Sequence, residues 1–287
     1  MKKKVKVLYI AGNGHSGSTL LDIILGNSPS VFSSGELTFI TRESIDEEYC
    51  SCGEVIGNCK LWSIIMNKWL EKIDLSIEEY RVLRLKYERN KATHTVLFNK
   101  FFPTKDFLAY CTATKVLFEC IQEVTNSEII IDSSKTPQRI PILERIVDLK
   151  VIHLCRDAKG VLNSAKKSYK KDISAGVEVD LPSRRTSKTL VEWVFVNLMT
   201  TIFSFGLCSV KLKYKDYIGN LKYLEKLDEK IKITRDSFVT YHIMAGNKMR
   251  LKNEINVNNN VGFGYNRLSP KQRFLAGLFD KVFYWWS

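Results

Sequence analysis

No internal repeat, low-complexity tract or Gly/Ser- or Pro-rich linker interrupts the 287 residues. One domain over residues 1–287, carrying an insertion, is therefore the simplest organisation. A long apolar leader is also missing. The basic residues 1–6 run straight into a short apolar strand, so no secretory signal is expected and a cytoplasmic location is. The most apolar stretch, residues 194–210, is short for a membrane span and carries Asn197, with Glu192 just before it. It reads as a buried core helix, which leaves peripheral contact as the only membrane association expected. Acidic side chains are scarce, 31 Asp and Glu against 44 Lys and Arg, giving a net charge of +13. That excess attracts anions of every kind. No zinc-finger, RNA-recognition or helix-turn-helix signature accompanies it, so nucleic acid is not an expected partner. The cysteines number seven, an odd count. Four of them, Cys111, Cys120, Cys155 and Cys208, sit in apolar or strand-like contexts and are expected to be buried thiols in a reducing compartment.

What is present is an alternation of strands and helices. Residues 5–11 (VKVLYIA) read as a buried parallel strand, followed by the turn GNGHSGST and a helix with Leu20, Leu21, Ile24 and Leu25 on one face. Further strands are expected at 128–132, 150–155 and 210–217, and a helix over about 137–147. Residues 41–127 read as a largely helical insert, 170–188 as a polar loop holding Arg184 and Arg185, and the aromatic tail as a helix. The class is α/β: a parallel sheet flanked by helices. Its turns at Gly12, Ser133 and Arg156 fall at the carboxyl ends of strands, where such sheets bind ligands.

Gly12 and Gly17 have the spacing of a nucleotide phosphate loop, in which backbone amides and a helix N-terminus cradle an anion. The lysine that would reach the outer phosphates is replaced by Ser18, so Mg-ATP chemistry is poorly supported. The plainer alternative is a tight strand-to-helix turn, with Ser18 and Thr19 as helix caps.

Taken together, the motifs resemble the sulfotransferase family that uses 3′-phosphoadenosine 5′-phosphosulfate (PAPS), in its bacterial and Golgi-type branches. GNGHSGSTLL is similar to the family's 5′-phosphosulfate loop and RDAKGVLNS to its 3′-phosphate motif. DSSKTP and HIMAGNKMR resemble elements found between and after them. The four matches cover under half of the chain. The resemblance implies a sulfotransferase fold like that of P-loop NTPases. It also implies sulfuryl transfer to a hydroxyl or amine of an acceptor, such as a carbohydrate, with PAPS as co-substrate and no metal required.

The same resemblance assigns residues. Gly14, Ser16, Gly17, Ser18 and Thr19 would hold the 5′-phosphosulfate, Arg156 and Ser164 the 3′-phosphate, and Arg250 would add positive charge near the phosphate or adenosine. Glu36 would be the catalytic base. His15 stands where the family has Lys or Arg, and Lys135 could share its task of stabilising the leaving phosphate. A histidine ionises near neutral pH, so its charge depends on its neighbours. The alternative for Arg156 is an ion pair with Asp157, and for Glu36 an exposed loop carboxylate. His153, mid-strand, reads as a core histidine; His94 and His242 have no clear constellation. Cys50, Cys52 and Cys59 could form a metal knuckle but lack an obvious fourth ligand, so a local staple or free thiols is expected and no metal is assigned.

Two readings compete with the sulfotransferase: a P-loop kinase, and a non-catalytic module binding anions or membranes. An anionic carbohydrate acceptor would suit the basic surface.

Overall fold

The computed structural model describes residues 4–41, 48–166, 169–172, 177–180, 185–257 and 265–286. Its centre is a five-stranded, all-parallel sheet made of β1 (Lys6–Gly12), β2 (Val31–Ser33), β3 (Ile129–Lys135), β4 (Asp148–Cys155) and the later β7 (Ser209–Lys213). The spatial order is β2-β3-β1-β4-β7. Between β4 and β7 lies the antiparallel pair β5 (Tyr169–Asp172) and β6 (Val177–Asp180), in the stretch expected to be a loop. Arg184 lies outside the described residues. A second small pair, β8 (Ser237–Val239) with β9 (Glu254–Asn256), closes the C-terminal region.

The sheet is buried on both faces, which is why its strands read as continuous apolar runs. Along β1, Val7, Tyr9 and Ala11 enter one core and Leu8 and Ile10 the other. The second core is closed by α1 (Ser18–Leu25) and the segments after β7. The first is closed by the insert: α2 (Lys60–Leu70), α3 (Ile77–Tyr87), α4 (Thr93–Phe101) and α5 (Lys105–Thr125). Local signals set these helices. Ser76 and Glu79 form a capping box on α3, and Thr104 caps α5. Trp69 Nε1 donates to the Ala113 carbonyl at 2.8 Å, fixing α2 on α5.

The insert is tied to the sheet by a buried charge cluster. Arg139, just before α6 (Ile140–Ile146), lies between Glu88 and Asp132, with 2.7 Å from its Nε to Asp132. Tyr110 also donates to Glu88 at 2.7 Å. One guanidinium thus faces two carboxylates, which lowers the cost of burying them, although Arg139 Nη2 and Glu88 Oε2 have no partner.

Three helices pack beyond β4: α7 (Ala158–Ala165), α8 (Thr186–Phe203) and α10 (Pro270–Val282), with α9 (Tyr214–Gly219) following β7. The apolar stretch expected at 194–210 thus belongs to a helix that starts earlier, at Thr186, and ends at Phe203. One side of α8 is buried through Leu190, Trp193, Asn197 and Phe203, while Val191 and Ile202 are exposed. No helix among the described residues is long and apolar enough to cross a membrane. The strand expected over 210–217 stops at Lys213, and Tyr214 begins α9. Cys208, expected to be buried, is exposed; Cys111, Cys120 and Cys155 are buried.

Candidate active site

The glycine-rich loop GNGHSGST leaves β1 at the centre of the sheet. From there the chain crosses to β2 and β3 on one side and later to β4 and β7 on the other. That reversal opens a crevice at the carboxyl ends of the strands. The glycine at 17 is dictated by the packing. Its φ is +94°, and a Cβ there would come within 2.5 Å of the Tyr214 ring and 2.8 Å of the Tyr217 hydroxyl. Tyr217 donates to the Gly17 carbonyl at 3.1 Å. Gly17 is also the N-cap of α1 and has no side chain to offer, so the first amides of the helix lack an internal partner.

This overturns the plainer alternative of serine and threonine caps. Thr19 Oγ1 instead accepts the Asn247 amide at 3.1 Å. Ser16 is 1% exposed, and its Oγ has no protein partner. Gly14 lines the crevice, and nothing lies within 4 Å of where its Cβ would be. A buried hydroxyl without a partner, beside uncapped amides, fits an anion.

Arg156 follows β4 and reaches back to the loop. Its Nη1 donates to the His15 carbonyl at 2.9 Å, and its guanidinium lies 4.3 Å from the Tyr214 ring centroid. The Nε is buried without a partner. Asp157, the expected alternative ion-pair partner, is occupied differently: it caps α7 through the Gly160 amide at 2.9 Å and accepts from the Tyr265 hydroxyl at 2.8 Å. Arg156 lines a cavity of about 570 Å³ together with Lys159, Lys213 and Lys215, opposed by Asp157 and Asp280. Ser164 is half-buried further along α7, outside that lining.

On the other side of the loop, a cavity of about 760 Å³ is lined by Gly12, Gly14, His15, Glu36, Ser134 and Lys135. Glu36 is 9% exposed rather than an open loop carboxylate, and it pairs with Lys135. Two backbone features create this pair. Lys135 sits at φ +69°, after a register irregularity at the end of β3. Glu36 is held through its amide, which donates to the Met244 carbonyl at 2.8 Å. The glycine before it, at φ +77°, lies so close that a Cβ would come within 2.0 Å of that same carbonyl oxygen.

Arg84, Arg89 and Lys91 of the insert line the same cavity. Their helices showed charged and apolar positions alike, so nothing in their spacing marked them out. Tyr214 was findable, because it follows a strand at the same end of the sheet as the other turns.

Arg250 is brought to a different place. Its guanidinium binds Glu48 and, at 2.7 Å, the Tyr49 carbonyl, and it donates to the Gly246 carbonyl at 3.1 Å. With that carboxylate against it, Arg250 brings little net charge to a phosphate.

Beneath the loop, Asp22 is fully buried and accepts from Ser33 at 2.6 Å and Ser133 at 2.7 Å. Burial raises its carboxyl to about 7 despite those two hydrogen bonds. His153 is the core histidine expected: Nε2 lies 3.0 Å from Asn197 Oδ1, and burial lowers its pKa to about 4. His94 is exposed. His242 lies against Cys50 and Cys59, a grouping the sequence did not reveal.

No protein-family model matches the chain, and no curated protein matches it. Solved sulfotransferase structures overlap it. The sulfotransferase domain from a Synechococcus olefin synthase is 16% identical, with a TM-score of 0.47 over 97% of this chain and 96% of that one. The sulfotransferase domain from the curacin biosynthetic pathway is 14% identical, with a TM-score of 0.47 over 97% and 99%. A sulfotransferase from Mycobacterium tuberculosis is 12% identical, with a TM-score of 0.40 over 78% and 67%. At that distance the likeness says nothing of donor or acceptor.

Proposed function

We propose that the chain transfers a sulfuryl group from PAPS to a hydroxyl or amine of an acceptor. The observation that carries this reading is the link between Arg156 and the His15 carbonyl. It joins two basic cavities across one uncapped loop, each with a buried polar atom left without a partner nearby, Ser16 Oγ and Arg156 Nε. A nucleotide with phosphate groups at both its 3′ and 5′ positions matches two such anion sites better than a triphosphate does. Ser18 in place of lysine points the same way.

When bound, the donor supplies an activated sulfuryl group on a phosphate leaving group. Gly14, Ser16, Gly17, Ser18 and Thr19 would hold its 5′ end, and Arg156 its 3′-phosphate, with Ser164 a more distant contributor. Glu36 takes the acceptor's proton as general base. Lys135 and His15 supply positive charge at the loop's edge, where negative charge must be neutralised. The Glu36–Lys135 ion pair holds the two groups side by side until an acceptor separates them. Arg84, Arg89 and Lys91 line the cavity around Glu36 with Glu88 and Glu192, and their excess of positive charge favours an acceptor that is itself anionic, such as an acidic carbohydrate.

Calorimetric titration with adenosine 3′,5′-bisphosphate, 5′-AMP and ATP tests the donor. The bisphosphate is expected to bind tightest, by at least tenfold. Equal or tighter binding of ATP would sink the proposal and reopen the kinase reading.

A further inference from the structure

Three cysteines from the start of the insert meet one histidine from the far end of the chain. Cys59 Sγ lies 3.2 Å and Cys50 Sγ 3.8 Å from His242 Nδ1, although Cys59 and His242 are 183 residues apart. Cys52 Sγ lies 3.6 Å from Cys59 Sγ. All four ligand atoms fall within 4.8 Å of one another. In a tetrahedron with bonds of ~2.3 Å to sulfur and ~2.0–2.1 Å to nitrogen, neighbouring ligand atoms stand ~3.5–3.8 Å apart. The spacings here, from 3.2 Å to within 4.8 Å, bracket that range. We propose that Cys50, Cys52, Cys59 and His242 bind one zinc ion, with His242 ligating through Nδ1.

The backbone is shaped to hold this arrangement. Gly53 at φ +93° turns the chain between the second and third cysteines, its amide donating to the Cys50 carbonyl at 3.0 Å while the Cys50 amide donates to Glu54 at 2.9 Å. His242 sits at φ +46°, a conformation unusual for a histidine, and its carbonyl accepts from Trp62 Nε1 at 2.7 Å. The flanking segments are laced together by Ser51, whose amide donates to the Ile243 carbonyl at 3.1 Å and whose Oγ accepts the Ile243 amide at 2.9 Å. Cys50 and Cys59 are fully buried and His242 is half-buried, with Cys52 facing solvent. Thiols are weak hydrogen-bond donors and weak acceptors, so hydrogen bonding alone is a poor reason to gather three of them around an imidazole. Soft thiolates with one imidazole are a donor set that selects zinc.

Four protein ligands leave no open coordination position, so the ion is structural and takes no part in group transfer. Its effect on the cavity is indirect. Met244, two residues beyond His242, bridges to Cys50 on one side and accepts the Glu36 amide on the other. The zinc site thereby positions the strip of backbone that carries Glu36.

The test is metal analysis of the untagged full chain, purified under reducing conditions and reconstituted with zinc. One zinc per chain is expected, falling below a tenth in Cys59→Ser and in His242→Ala and unchanged in Cys111→Ser. Replacing zinc with cobalt in the wild-type chain is expected to give the intense visible absorption of a tetrahedral thiolate site. The wild-type zinc content and the cobalt absorption depend neither on sulfotransferase activity nor on any variant folding well. A wild-type chain that retains no zinc after reconstitution overturns the proposal, as does cobalt bound without that absorption. A Cys52–Cys59 disulfide in chain isolated from its own cells would overturn it equally.

Discussion

Two arginines lie on opposite sides of the same sheet end and do different work. Arg139 is 1% exposed and sits between the carboxylates of Glu88 and Asp132, one from the insert and one from β3. Arg156 rests against a backbone carbonyl and an aromatic ring, with its Nε buried and without a partner. Arg139 also leaves one nitrogen, Nη2, without a partner, but its charge is already faced by two protein carboxylates, which repel an anionic ligand. A charge balanced by a dipole and a ring face keeps most of its attraction for an anion. The contrast divides this end of the molecule into an anchor and a receptor. Arg250, facing Glu48, belongs with the anchors.

Substitutions should separate the two regions. Glu36→Gln, on the receptor side, is expected to cut turnover by roughly 10²–10⁴-fold. Bisphosphate affinity and the melting temperature should hardly change, and turnover within threefold of wild type would remove Glu36 from the mechanism. Arg139→Met does the reverse. It strands two buried carboxylates and should cost about 3–5 kcal/mol in urea unfolding. A loss under 1 kcal/mol would show that the anchor is not load-sharing with the core.

Arg156→Ala comes next. A hydrogen bond to a charged group is worth about 1.5–3 kcal/mol, so bisphosphate affinity should drop by roughly 10–150-fold with little change in stability. If stability fell and affinity did not, the two arginines would have to exchange roles.

An effect of a different kind, read against pH, lies between the regions at Asp22. Its carboxyl is raised to about 7 in the folded chain, against an ordinary value near ~3.9 unfolded. The native state therefore holds a proton that the unfolded state has released. Stability from this group is complete below about pH 4 and declines as pH rises toward 7, by at most ~1.4 kcal/mol per pH unit. Denaturant titrations across that window should show the decline in the wild type and lose it in Asp22→Asn.

Much of this was legible in the chain itself. β1, β3 and β4 are buried on both faces, and continuous apolar runs are what such strands require. The glycine turn between β1 and α1 was readable because only a residue without a Cβ packs where Gly17 meets two tyrosines. β2 was missed because three residues, Val31–Ser33, carry no period. The strand expected over 210–217 ran too long because its alternation continues into α9. Arg139 and His242 were opaque for a different reason. Their meaning comes from partners brought together by tertiary folding, 51 residues away at Glu88 and 183 at Cys59. No spacing rule reaches that far.

The role of Met244 has a consequence in time as well as in space. Its backbone is the rung between Cys50 and the Gly35–Glu36 strip, so one wall of the cavity is hung from residues synthesised more than two hundred positions later. As the chain emerges from the ribosome, the loop after β1 must wait for Arg156 and Tyr217, which bind its carbonyls. The strip carrying Glu36 must wait longer still, for Met244. The two walls are thus assembled in sequence, and a chain interrupted before that rung would hold the loop without fixing Glu36.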